Sequence, residues 1–347
     1  MSVSQVVAPG SPERVSGTPS VLALPGASEE LRVTLTQGLA AVNALLEKRI
    51  DRADPFIAQA SGHLAAAGGK RFRPLLTILA SELGSGVNDQ VVAAATGVEL
   101  THLASLYHDD VMDEADVRRG APSANAAYDN STAILVGDLL FGTASDIVAD
   151  LGPEAVKIQA QTFIRLCAGQ IRDDRPAPAD ADPLEYYRGV LADKTGVLIA
   201  TAARYGAMFG GCPPEVVETM RVYGEHLGMA FQLADDLIDI ASDAEETGKT
   251  PGTDLREGKR TLPVIHALAS TDPADDRLKA LLVGDLSNDA DLAEALTLLR
   301  AHRAMDLARE ETYAVARHAQ EILDPLPDSD AKAALQALAL GVVDRVG

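Results

Sequence analysis

The chain has 347 residues, 30 of them basic and 51 acidic, for a net charge of −21. A body this acidic does not attract a phosphate backbone, which argues against nucleic-acid binding, while 47% apolar residues exclude wholesale disorder. Aromatics make up only 4% and Trp is absent, so Ala, Leu and Val must fill the core, which favours helix on helix over a β-sandwich.

Residues 1–27 carry Pro9, Pro12, Pro19 and Pro25 among Gly, Ser and Val and read as a flexible tail without the basic start and apolar core of a signal peptide. Segment 29–49 is amphipathic, with Leu31, Leu35, Leu39, Val42 and Leu46 at steps of three and four. The same periodicity predicts helices over 73–84, 90–113, 131–150, 154–171, 184–209, 214–242, 261–270, 290–324 and 330–345, with Gly and Pro between them. No strand alternation exceeds four residues and no repeat is apparent. The expected fold is therefore all-α, a single-domain antiparallel helical bundle over 28–347, although length alone would suggest two domains. No uninterrupted apolar run approaches the ~20 residues of a membrane span. Cys167 and Cys212 lie in apolar helical contexts and are expected to be buried thiols in a reducing cytoplasm.

Two acidic clusters echo one another. Asp109, Asp110 and Asp113 close one apolar helix, and Asp235, Asp236 and Asp239 close another at the same spacing. Residues three and four apart share a helix face, so each cluster gathers three carboxylates at a helix end. Such groups raise one another's pKa unless a cation binds, and hard oxygen ligands favour Mg²⁺ shared with substrate phosphates. One cluster in a chain this acidic could be a solvated surface; two with identical spacing on apolar helices argue otherwise. Basic residues are scarce, and they group beside these clusters: Lys70 and Arg73 after Gly68-Gly69, Arg118-Arg119, and Lys249, Lys259 and Arg260. Arg71 and Arg260 read as solvated surface. The remainder suggest a diphosphate held between metal ions and basic side chains.

The ordered set GGKRFRP (68–74), His102, DDVMD (109–113), RRGAP (118–122), GD (137–138), GQ (169–170), KT (194–195), FQLADDLID (231–239), GK (248–249) and DLREGKRTLP (254–263) resembles the trans-isoprenyl diphosphate synthases, the polyprenyl synthetase family, from about residue 35 onward. The resemblance implies a helical bundle around a central apolar cavity, the isoprenoid synthase fold. It also implies Mg²⁺-assisted ionisation of an allylic diphosphate, followed by attack of isopentenyl diphosphate on the carbocation. About three Mg²⁺ ions per site are implied, with Mn²⁺ able to substitute.

By resemblance the metal residues are Asp109, Asp113 and Asp235, with Asp110, Asp236 and Asp239 as outer or supporting members. Arg118, Lys194 and Lys249 or Lys259 would contact the allylic diphosphate. Lys70, Arg73, His102 and Arg119 would hold isopentenyl diphosphate without metal, and Thr195 and Gln232 would line the reaction centre. Roles for Gln170 and Asp173 stay open, because the run from Gln170 to Asp174 departs from the family pattern; Tyr107 also stands where relatives more often carry an aliphatic residue. A homodimer, with transient membrane contact for product release, is the expected assembly.

Two other readings fit less well. A class I terpene cyclase would need neither Lys70, Arg73, His102 nor Arg119, and a non-catalytic subunit should have eroded aspartates. Product length is read from the helix leading into DDVMD. At a rise of about 5.4 Å per turn, Ala104 lies just under one and a half turns below Asp109, with Ser105 beside it and Leu100 one turn deeper. Relatives with short products commonly close this depth with Phe or Tyr. Small residues here point to a product of about seven to ten isoprene units, suited to a quinone side chain, by the same depth argument. Were Leu140, Phe141 or Tyr107 to supply a floor, about four units would result, as for a terpenoid or carotenoid precursor.

Overall fold

The computed structural model describes Leu24 and residues 26–241 and 251–344. The chain is a helical bundle, as the periodicity predicts. Helix α1 (Glu29–Ile50) starts on Ser28, whose hydroxyl accepts the Leu31 N–H, with Glu29 and Glu30 in the first turn complementing the helix dipole. The stripe Leu31, Leu35, Leu39, Val42 and Leu46 is buried as its spacing requires. Within the stretch read as a tail, Leu24 and Ala27 are also buried in the core.

There follow α2 (Pro55–Ala66), α3 (Phe72–Ser81), α4 (Asp89–Met112), α5 (Ala124–Ala127), α6 (Asn130–Ala149), α7 (Pro153–Asp173), α8 (Pro183–Leu191), α9 (Val197–Phe209) and α10 (Pro214–Ala241). The C-terminal third adds α11 (Thr253–Arg256), α12 (Leu262–Leu268), α13 (Asp276–Leu282), α14 (Asp289–Ala301), α15 (Arg303–Ile322) and α16 (Asp330–Gly341). Several details differ from the periodicity, among them the short helices α5, α11 and α13, which no expected segment covers. Helix α2 has no counterpart among the expected segments. Segment 184–209 is broken by a π-helical turn at Ala192–Gly196. Segment 290–324 is broken at His302, whose ring nitrogen accepts the Ala304 N–H and starts α15.

Helix α4 packs on α6 and α9, and α7 packs on the same two helices, so α4 and α7 stand opposite one another across the bundle. Alanine carries much of this packing: Ala94, Ala95, Ala104, Ala133, Ala144, Ala202 and Ala203 are buried. Three fully buried tyrosines tie helices together through their hydroxyls. Tyr107 donates to the Ala60 carbonyl of α2, Tyr205 to Ala155 of α7 and Tyr223 to Leu335 of α16.

One expectation is corrected here, and another holds only in its strict form. Cys167 is exposed and Cys212 half-buried. The outer face of α7 is itself apolar, with Val156, Ile164 and Ile171 exposed, so an apolar context does not mean burial there. And α6 is, by length and composition, apolar enough to cross a membrane, although Asp138 and Asp146 interrupt it and 44% of that window is buried inside the bundle.

Candidate active site

The end of α4 carries the first acidic cluster. Asp110 is fully buried and both its oxygens are already engaged by the protein: Arg118 Nε donates to one carboxylate oxygen at 2.6 Å and the Ala124 N–H to the other at 2.7 Å. Arg118 also reaches Asp113 at 3.6 Å. It is presented by a small hairpin, β1 (Val117–Arg118) paired with β2 (Ala121–Pro122). The two loop residues, Arg119 and Gly120, both have positive φ, 56° and 77°, the backbone of a type I′ turn. Asp109 and Asp113 are left facing the site. Burial, with the charges of Asp113 and Asp110, pushes Asp109 up to about 6 against the pull of Lys194 and Arg118. Burial raises Asp113 too, opposed by Lys259, Arg118 and Lys194.

The end of α10 carries the second cluster. Asp236, expected among the metal residues, is buried and spent on neutral donors: the Tyr187 hydroxyl bonds one oxygen and Gln232 Nε2 the other at 2.9 Å. Burial, then the charge of Asp254, raises it to about 7. Gln232 in turn accepts from the Thr195 hydroxyl at 3.1 Å, so Thr195, Gln232, Asp236 and Tyr187 form one chain of hydrogen bonds. Asp239 accepts the Thr253 and Asp254 N–H groups at the start of α11. Asp235 stands on the same turn, and its charge adds to the rise at Asp236. Lys249 lies outside the described residues.

Lysines join the two ends. Lys194, in the π-turn, donates to Asp173 at 2.5 Å and acts on both Asp109 and Asp113. Burial alone would lower Lys259, but its hydrogen bond to Glu257 and the charges of Asp173 and Asp254 raise it. Lys259 thus links Asp113 of the first cluster to Asp254 beside the second. Asp173, left open by the sequence, belongs to the site. Gln170 instead bonds Asp174. Tyr187 and Asp254 were missed; no spacing signal ties either one to an acidic cluster.

A second cationic group lies at the foot of α3 and on the hairpin. Arg71, read as surface, is corrected: its side chain is 11% exposed and pairs at 2.8 Å with buried Glu99. A left-handed backbone at Arg71, φ 46°, turns the guanidinium inward, where it also bonds Asn43 and the Ala65 carbonyl. Arg260 is exposed, as read. Arg73 feels Glu99, Arg119 and Asp109, and its buried Nε has no hydrogen-bond partner. Burial leads the causes that lower it to about 10. Arg119 donates to the Gly68 carbonyl, fixing the glycine turn before exposed Lys70. His102 faces Arg73, Arg119, Arg71 and Arg118; burial and then these charges hold its pKa well below the usual value, so the imidazole is neutral. An unpartnered guanidinium N–H among converging cations is a receptor for an anion.

Along α4, Ala104 and Leu100 are buried in a cluster with Val136, Leu140 and Ile147, and Ser105 is half-buried, donating to the His102 carbonyl. Tyr107 points to α2 and so supplies no floor. Phe141 of α6 stacks on Phe163 of α7, ring centroids 3.8 Å apart. A separate groove of about 380 Å³ between α7 and α9, lined by Ile158, Thr162, Ile164, Val197 and Thr201, holds none of these residues.

Among the described residues, no three His, Cys, Asp or Glu side chains are already gathered as a cation cage. The donor set nevertheless fits a divalent cation. Asp109, Asp113 and Asp254 are carboxylates whose burial and repulsion favour a bound positive charge over a bare anion.

The comparisons agree with this chemistry. The polyprenyl synthetase family profile matches residues 54–299, and the chain belongs to that family of metal-dependent prenyltransferases. It is 49% identical over 311 residues to the nonaprenyl diphosphate synthase of Mycobacterium tuberculosis, covering 89% of this chain and 93% of that one. The structure is similar to that of geranylgeranyl pyrophosphate synthase from Corynebacterium glutamicum, complexed with calcium and isoprenyl diphosphate. There the TM-score is 0.83 at 44% identity, over 92% of this chain and 98% of that one. It is also similar to a decaprenyl diphosphate synthase from Rhodobacter capsulatus, with a TM-score of 0.84 at 36% identity, over 92% and 99%.

Proposed function

We propose that the chain is a long-chain all-trans polyprenyl diphosphate synthase, condensing isopentenyl diphosphate with an allylic diphosphate. The observation that carries the reading is the position of Asp109. Its carboxylate interacts electrostatically with Lys194 of one cationic group and with Arg73 of the other. One group adjoins aspartates and suits a metal-bound diphosphate; the other gathers Arg73, Arg119 and neutral His102 and suits a diphosphate held without metal.

In this reading Asp109, Asp113 and Asp235 hold Mg²⁺, which when bound supplies counter-charge to the departing diphosphate. Lys194, Lys259 and Arg118 hold the diphosphate as its C–O bond opens. Positioned charge of this kind is the main catalytic term, because charge separation is the barrier. Lys70, Arg73, His102 and Arg119 orient isopentenyl diphosphate. Ala104 and Ser105 leave the first depth open, which favours a long product, as do the nonaprenyl and decaprenyl synthase relatives. Exposed Ile134 and Leu135 on α6 and Ile164 and Ile171 on α7 support a homodimer formed through these helices.

The test incubates the protein with farnesyl and isopentenyl diphosphates and Mg²⁺ and separates the products by chain length. Long prenyl diphosphates uphold the reading. One observation favours a four-unit product instead: the Phe141–Phe163 stack, which could close the channel below Ala104. If the product stops at four units and Phe163→Ala lengthens it, the shorter reading stands.

A further inference from the structure

Arg172 and Asp173 are consecutive at the end of α7, and Asp193 and Lys194 are consecutive in the π-turn. They pair in register with opposite charge order: Arg172 with Asp193, and Asp173 with Lys194. Arg165, two turns below Arg172, holds the other oxygen of Asp193 at 2.6 Å. Arg165 is itself tied to Glu225 of α10 at 2.6 Å, and Arg172 also donates to the Gly189 carbonyl at 3.2 Å. Both oxygens of Asp193 are therefore held, from two points on one helix. At the same place α7 and the turn meet backbone to backbone: a Cβ on Gly169 would come within 2.5 Å of the Lys194 nitrogen.

A π-turn inserts one residue into a helix, and its neighbours can rotate about the axis. Consecutive residues point about 100° apart on a helix, so fixing the direction of residue 193 fixes that of 194. We infer that Asp193, clamped by Arg165 and Arg172, is a positioning residue that sets the rotation of the π-turn and so aims Lys194 at the first acidic cluster, with Asp173 holding its ammonium before substrate arrives. This rests on the reading that Lys194 serves the allylic diphosphate. Asp193 touches no substrate in it and acts only through its neighbour.

A misplacement of about 1 Å can cost on the order of 100-fold in rate, so Asp193→Ala should lower kcat by up to about that factor. The KM for isopentenyl diphosphate, which depends on Arg73 and His102, should not move. A residue that merely supports the fold would move both. The deciding measurement is the double variant Asp193→Ala with Lys194→Ala, compared with each single variant. Turnover equal to that of Lys194→Ala alone upholds the inference. Losses that multiply overturn it while leaving the assignment of Lys194 intact. Parent-level turnover in Lys194→Ala overturns that assignment instead. Should Asp193→Ala not fold, Arg172→Gln removes one arm of the clamp and enters the same comparison. Arg172→Lys, which keeps the charge, should recover most of the lost kcat; no recovery counts against an electrostatic clamp.

Discussion

The two acidic helix ends have the same spacing and different surroundings. In both, the middle aspartate is buried and anchors its helix end: Asp110 takes a guanidinium and a backbone N–H, Asp236 a phenol and an amide. The outer aspartates differ as well. Asp109 and Asp113 face Lys194 and Lys259, whereas Asp239 receives two backbone N–H groups from α11. A repeated acidic pattern is thus a set of distinct positions, and the two middle residues are held by different chemistry, one by an ion pair and one by neutral donors.

The comparison can be broken most directly at the outer aspartates. Asp109→Ala and Asp235→Ala should each lower turnover by about 10³-fold, because both ends are needed around one diphosphate. A loss at one end only, in steady-state assays, would show that a single cluster serves the reaction. Next, Mg²⁺ with inorganic diphosphate at about 100 times its dissociation constant should stabilise the parent by about 2.7 kcal/mol in thermal unfolding. Either of those variants, or excess chelator, should abolish the shift; an undiminished shift would place the ligand elsewhere.

The anchors sharpen the contrast further. Asp110→Asn removes the charge that holds Arg118 and should cost about 2 kcal/mol in urea unfolding. Tyr187→Phe removes one neutral donor from Asp236 and should cost about 1 kcal/mol. Equal costs would mean that the two anchors are equivalent after all.

The two acidic helix ends were legible in the sequence. Helical spacing gathers Asp109, Asp110 and Asp113 at the end of α4 and Asp235, Asp236 and Asp239 at the end of α10, where the structure has them, whereas Arg73, His102 and Lys194 owe their assigned roles to resemblance and not to spacing. Arg71 was not legible: its direction depends on a left-handed backbone that the residue type does not announce. Tyr187 reaches the second cluster only through tertiary packing, so no local pattern marks it, and Asp254, although it opens the DLREGKRTLP motif, was given no role there. Helix α2 hid because Phe56 and Ile57 are exposed and Gly62 interrupts its stripe, blurring the period. The π-turn hid because its sequence, Ala192 to Gly196, reads as ordinary helix.

Helices α4 and α7 stand opposite one another, and each carries acidic residues at its C-terminal end, Asp109 and Asp110 on α4 and Asp173 on α7. Depth below those ends is measured along helix axes, at about 1.5 Å per residue. In the proposed reading, where the product grows along α4, the bundle works as a gauge whose graduations are side chains and whose zero is Asp109. Moving a bulky residue by one turn would reset the gauge by about 5.4 Å without disturbing a single reacting group. A lineage could pass from short to long products by one substitution at a time, with the enzyme active at every step.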